Sequence, residues 1–196
     1  MVDAKTEITG TTLEATPEYM DDFHRGITEK YDIRYGTAKN LPLDKKVEDD
    51  FKDLAARAIL RGNCNHGDPY THGEIIYLIG NSRPVSQEIN PIPEVYVTAI
   101  DRKRIVGSGF LYQDVGNGEN GFLFGVYEDP AYNGHGIQSI VLNLLLRHAK
   151  RKRIKKITAL MPKFLDTEKF YSGYRFTNIE SNMAGEKLYH KMQLLL

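Results

Sequence analysis

The sequence predicts an α+β (mixed α/β) fold, a central mixed and mostly antiparallel sheet with helices on both faces. Three observations carry that expectation. Strand-like runs follow one another through short turns from Glu94 to Tyr127. A glycine-bearing turn then leads straight into an apolar helical segment, Ile137 to Ala149. Beyond it, strand and helix signals alternate to the end of the chain, so the order is strand-rich first and βαβαβ afterwards.

The elements follow in order. Thr6 to Glu14 alternates and is Thr-rich, which predicts a strand. Thr16-Pro17-Glu18 has the form of a helix start, with Thr as N-cap and Pro at the first helical position, and that helix runs to about Lys30. Asp44 caps a second helix, in which Val47, Phe51, Leu54, Ala55, Ala58 and Ile59 recur at helical spacing and Gly62 suits the C-terminus. Residues 63–93 are loop-rich, with one strand expected over Glu74 to Ile79. Glu94 to Ile100 and Arg104 to Gln113 form a hairpin through the polar turn Asp101-Arg102-Lys103, and Phe122 to Tyr127 extends it to a meander. Ile137, Ile140, Val141, Leu144, Leu145 and Ala149 make one helical stripe, widened by Leu142 and Leu146, as on a helix packed against a sheet. Lys155 to Met161 reads as a strand, Thr167 to Tyr174 as a short helix and Gly185 to Leu194 as a final strand.

Length and composition narrow the class. At 196 residues the chain is expected to be a single domain, 1–196, able to bury a substantial core. Its N-terminal part, 1–93, holds a strand, two helices and the loop-rich insertion, and 94–196 is the core. No apolar run is long enough to span a bilayer, Met1 to Gly10 is polar, and Cys64 is the single cysteine. These features predict a cytoplasmic protein without a disulfide framework. Net charge is zero but uneven. Residues 1–100 carry 11 Lys+Arg against 17 Asp+Glu, a net of −6, and residues 101–196 carry 15 against 9, a net of +6. The basic run from Arg147 to Lys156 could touch nucleic acid, but it closes a helix, where cations complement the macrodipole, and the chain as a whole is not basic. Cys64, His66, Asp68 and His72 match no zinc spacing, so no metal site is expected. No nucleophile elbow and no Walker-type Gly-Lys-Ser/Thr is present.

The chemistry-bearing stretch is Tyr132-Asn133-Gly134-His135-Gly136-Ile137-Gln138-Ser139. It has the order strand, glycine loop, helix. Glycines let a backbone approach an anion, and the free N–H groups of a first helical turn point at it. Locally, two readings are open: a phosphate cradle, or a simple tight turn. His135 could meet a phosphate as a cation or merely be exposed.

Two motifs decide between them by resemblance. Pro130-Ala131-Tyr132 followed by Asn133-Gly134-His135-Gly136-Ile137-Gln138 resembles the acetyl-CoA loop of the GNAT N-acetyltransferase superfamily. That loop is Arg or Gln, two residues, Gly, one residue, then Gly or Ala. Gly136 matches; Asn133 and Gln138 do not. Phe170-Tyr171-Ser172-Gly173-Tyr174-Arg175-Phe176 resembles the same family's Phe-Tyr-x-x-x-Gly-Phe signature, with Arg175 in the Gly position. The resemblance covers roughly Glu94 to Leu194 and implies a GNAT-like fold and an N-acyltransferase using acetyl-CoA. It implies a cofactor site of Asn133, Gly134, His135, Gly136, Ile137, Gln138 and Ser139 for the pyrophosphate, with Val126 and Tyr127 beside the pantetheine. It also implies an opening between the fourth and fifth strands, with a bulge at Gly125. Tyr171 matches the family's general acid to the thiolate, and Glu128 or Glu119 is the candidate general base, with Glu128 preferred.

The acceptor implied is a primary amine, in a small molecule or a peptide. The acidic first half favours a cationic one, such as a polyamine, an aminoglycoside or a Lys-bearing peptide. Membrane and nucleic-acid partners are not expected, and a homodimer or larger assembly stays open. Gln138, Arg175 and Phe164, which stands where relatives often carry Asn, support an alternative: a GNAT-like fold kept as a structural or partner-binding module.

Overall fold

The structure, a computed structural model, describes residues 22–37, 49–58, 94–114, 116–162, 168–184 and 187–196. The expected strand at Thr6, the helix start at Thr16, the Asp44 and Gly62 caps, the strand at Glu74, the Cys64 cluster and Phe164 lie outside these residues. The elements are α1 (Asp22–Lys30), β1 (Asp32–Thr37), α2 (49–58), β2 (Val95–Asp101), β3 (Arg104–Gln113), β4 (Asn120–Glu128), α3 (Ile137–Arg151), β5 (Lys156–Pro162), α4 (Glu168–Gly173), β6 (Thr177–Ala184) and β7 (Lys187–Leu195).

The seven described strands form one sheet in the order β1-β2-β3-β4-β5-β7-β6. Every pairing is antiparallel except β4 with β5, which α3 connects as a crossover. The meander and the α3 crossover are where the sequence puts them. Two strands are additions to the expected set. β1, with sequence DIRYGT, pairs along its whole length with β2. β6 occupies the far edge, where the expected single last strand proves to be a β6–β7 pair. β6 reads TNIESNMA, and its one long aliphatic side chain, Ile179, is exposed. An edge strand solvated in this way carries no apolar alternation to read.

Helices cover both faces. On one face α3 buries Ile137, Ile140, Val141, Leu142, Leu145 and Ala149, joined by Ile27 of α1 and Tyr31. Each fully buried Leu or Ile contributes about 1.5–3 kcal/mol relative to exposure. The helix lies close because β3 offers no side chains beneath it at Gly107 and Gly109. A Cβ on Gly107 would meet Ile137 Cγ2 at 2.3 Å, and one on Gly109 would meet Val141 Cγ1 at 2.7 Å. On the other face Phe51 of α2 packs edge-on against Phe110 of β3, with centroids 5.0 Å apart. The basic run at the end of α3 is exposed from Lys150 to Arg153, but His148 is buried: it bonds Tyr35 of β1 and lies 3.6 Å from Glu94.

Candidate functional site

β4 and β5 pair only from Asn120↔Lys156 to Leu123↔Ala159. Beyond that point β4 continues to Glu128 with no partner on β5, so the sheet opens between them. The cause lies in β4 itself. Phe110 pairs with Phe124 and Ser108 with Tyr127, so β4 holds one extra residue there. Gly125 takes that bulge at φ 60°, and its carbonyl accepts a hydrogen bond from Ser108 Oγ at 2.9 Å. The bulge expected at Gly125 is therefore present, and it lies in the stretch of β4 that β5 leaves unpaired, before Tyr127 and Glu128 resume pairing with β3.

The glycine loop stands above this opening. Asp129 begins it: its N–H donates to the Val106 carbonyl at 2.8 Å, and its carboxylate accepts from the Ala131 N–H at 3.0 Å. It thus caps the single 3-10 turn Pro130–Tyr132. Asp129 is buried and ion-paired with Arg57 Nε of α2 at 2.9 Å, with Arg104 at 3.7 Å. Arg57 also donates to the Ile105 carbonyl at 3.1 Å and pairs with Asp53. Tyr132 Oη donates to Asp101 at 2.7 Å. Tyr31 Oη and His135 Nδ1 lie 2.6 Å apart, and their rings stack. Gly134 and Gly136 hold φ of 82° and 77°, backbone that an L side chain rarely adopts, and Gly136 is the N-cap of α3. A Cβ on Gly134 would meet open space, so φ alone demands glycine there.

The predicted residues fall into three groups around this loop. Asn133, Gly134 and His135 are exposed on it. Ile137 is buried under it, and Gln138 reaches from the first turn of α3 to β4, where its Nε2 donates to the Val126 carbonyl at 3.2 Å. Ser139 offers its carbonyl to Tyr174 Oη at 3.4 Å, which ties α4 to α3. Glu128 is half-buried. Burial raises its carboxyl from 4.5 to about 7, against the pull of the Ile137 and Gln138 N–H groups and with a smaller push from Asp129. Its Oε1 is buried with no partner among the described residues.

Tyr171 lies on α4, buried between the edges of Phe170 and Phe176, with centroids at 5.3 and 5.1 Å. Burial, then the neighbouring Tyr127 oxygen, raises its phenol well above the ordinary range, so it stays protonated. Tyr171 and Tyr127 are thus electrostatic neighbours. Glu119 is elsewhere: it precedes β4 at the opposite end, exposed and paired with Lys155 at 2.5 Å. Eight residues of strand lie between it and Glu128, a span of roughly 30 Å. Arg57, Tyr31, Asp101 and Asp129 are contributors that the sequence reading does not single out. Only Asp129 carries a local signal, an Asp directly before Pro at a turn start.

Comparison with known proteins agrees with this geometry. No curated protein matches the sequence. Solved structures do match the fold. An acyl-CoA N-acyltransferase from Pseudomonas aeruginosa is 15% identical, with 83% of this chain and 98% of that one covered and a TM-score of 0.52. The PaiA N-acetyltransferase from Thermoplasma acidophilum, solved in complex with coenzyme A, is 14% identical, with 85% and 99% covered and a TM-score of 0.52. The ribosomal-protein-S18-alanine N-acetyltransferase from Escherichia coli is 12% identical, with 83% and 93% covered and a TM-score of 0.51. The sequence profile of the acetyltransferase (GNAT) family matches residues 63–174, more than half the chain, and spans the meander, the glycine loop, α3 and the Tyr171 helix. On that match the chain belongs to the GNAT acetyltransferase family.

Proposed function

We propose that the protein is an N-acyltransferase that moves an acetyl group from acetyl-CoA to a primary amine. The observation that carries this reading is the opening between β4 and β5, with Tyr127 on the stretch of β4 that β5 leaves unpaired and the glycine loop following the end of that strand. The positive φ of Gly134 and Gly136 suits a backbone cradle for the cofactor's phosphates within the stretch Asn133 to Ser139, in which the N–H groups of Asn133 and His135 meet the Pro130 and Tyr132 carbonyls and those of Ile137 and Gln138 meet the Glu128 carboxylate. Val126 and Tyr127, in the stretch of β4 that β5 leaves unpaired, suit an extended pantetheine chain. The cofactor supplies the thioester whose carbonyl the amine attacks. Glu128 takes the proton of the acceptor ammonium, a role its value of about 7 suits near neutral pH. Tyr171, protonated at every physiological pH, gives its proton to the leaving thiolate. The acidic N-terminal half supports a cationic acceptor, a polyamine, an aminoglycoside or a Lys-bearing peptide.

Calorimetric titration with acetyl-CoA, followed by thiol release on adding a diamine, tests the activity. Absence of binding at millimolar cofactor overturns it. Tyr171→Phe should lower kcat by about 10²-fold or more with KM little changed; unchanged turnover would remove Tyr171 from the mechanism. One observation favours a second reading, a partner-binding module without catalysis: the Gln138 side chain bonds the Val126 carbonyl, a group the pantetheine reading needs. The same titration separates the two.

A further inference from the structure

Gln138 is the residue that departs furthest from the family's loop, and the structure shows what its side chain does. Val126 lies in the bulged stretch of β4, between the Phe124 and Tyr127 pairings to β3, and beyond the last pairing to β5. Its carbonyl is therefore a strand acceptor outside the ladder, the group that an extended ligand carrying amide N–H donors would take. The Gln138 Nε2 donates to it at 3.2 Å. A primary carboxamide offers the same N–H donor as a chain amide. Gln138 is also held through its backbone, because its N–H points at the Glu128 carboxylate. The residue thus bridges α3 and β4 at two points.

We propose that Gln138 is a specificity-determining gate, an internal stand-in for a ligand amide that a chain-bearing cofactor must displace from Val126 and a bare nucleotide need not. This rests on the coenzyme A reading of the site. The gate is weak by construction: one neutral, partly exposed hydrogen bond, equivalent to roughly a tenfold change in affinity. It acts on the pantetheine end alone, since the phosphate end meets the loop backbone. It also accounts for a bulky residue persisting where the family keeps Gly or Ala: the side chain has a bonded seat on β4.

The test is calorimetric titration of the wild-type protein, Gln138→Ala and Gln138→Met with two probes, coenzyme A and adenosine 3′,5′-bisphosphate, which lacks the pantetheine. The expected result is coenzyme A binding about tenfold tighter in Gln138→Ala, with bisphosphate affinity unchanged. Gln138→Met keeps the length and loses the donor, so it should tighten coenzyme A by a smaller factor, and it stands in if the alanine variant fails to fold. Equal shifts for both probes, or no gain for coenzyme A in either variant while the wild type binds both, overturn the gate and leave the cofactor reading intact. If neither probe binds any of the three proteins, the cofactor reading falls and the gate with it.

Discussion

At Glu128 and at Arg175 a single residue sets a measurable property. Glu128 has its folded-state value raised from 4.5 to about 7 by burial. The folded protein therefore holds a proton there that the unfolded chain has lost between those values. The contribution to stability is fully present below about 4.5 and is lost as pH rises through 7. Glu128→Gln should therefore show a higher Tm than the wild type at pH 8 and a flatter Tm between pH 5 and 8, and it should lose the rise in kcat/KM through pH 7 that an ionising base gives. A wild-type Tm that climbs over this range while the variant stays flat would reverse the sign and refute the assignment. Arg175 holds φ of 67° where the family signature has Gly. A left-handed arginine costs about 1 kcal/mol, so Arg175→Gly should raise the unfolding free energy in urea by up to that amount, less the added entropy of the unfolded chain. From the sequence the residue is visible only as a departure from the signature; the backbone angle gives its physical content. Asn133, another departure, is exposed on the loop, and nothing in the structure explains it.

At the scale of elements, what was legible followed apolar periodicity. The α3 stripe announces itself because its buried face repeats with period 3.6, and the start of β4 because its burial alternates, whereas β2 and β3 are buried on both faces and show as apolar runs bounded by turns. β6 escaped because both its edge position and its polar sequence remove that repeat, and β1 because six residues, DIRYGT, are too few to show one. The contact between α3 and β3 was hidden for another reason. Gly107 and Gly109 read as weak strand residues, yet their missing side chains are what lets α3 settle. Gly107→Ala should therefore cost about 1–3 kcal/mol of stability, and Ile137→Leu, which lacks the γ2 methyl of the 2.3 Å approach and keeps the side-chain volume, should recover part of it. Additive losses in this double-mutant cycle, read by urea denaturation, would show that the two positions are not in conflict. The β2–β3 turn is a milder case: Arg102 and Lys103 hold φ of 47° and 69°, so Arg102→Asn with Lys103→Gly should stabilise the hairpin.

On the scale of the whole molecule, the glycine loop is joined to distant parts of the chain by polar contacts that no local pattern encodes. Tyr31 follows α1 and meets His135 across 104 positions of sequence; Arg57 of α2 meets Asp129. The loop's glycines could be read in the sequence, but its anchors could not, because pairing across such separations leaves no periodicity. No described helix is long and apolar enough to cross a membrane. The Arg57–Asp129 pair bears the most. Asp129 is buried, caps the turn that leads into the loop and answers the charge of Arg57, whose second carboxylate partner, Asp53, is exposed. Asp129→Asn keeps the cap oxygen and the volume but removes the buried carboxylate from Arg57, which retains Asp53 and the Ile105 carbonyl, so the change should cost about 1–3 kcal/mol. Replacing both partners, Arg57→Met with Asp129→Asn, removes the under-compensated charge beside the loop, so the double variant should be more stable than Asp129→Asn alone. Should the double variant prove less stable than either single one, α2 is held by the packing of Phe51 on Phe110 and by the methylenes of Arg57 rather than by charge. The Asp129→Asn variant should also weaken coenzyme A binding, since the turn it loosens leads directly into Gly134 and Gly136; a destabilised protein that bound the cofactor as tightly as the wild type would show that the loop keeps its shape without its anchor to α2.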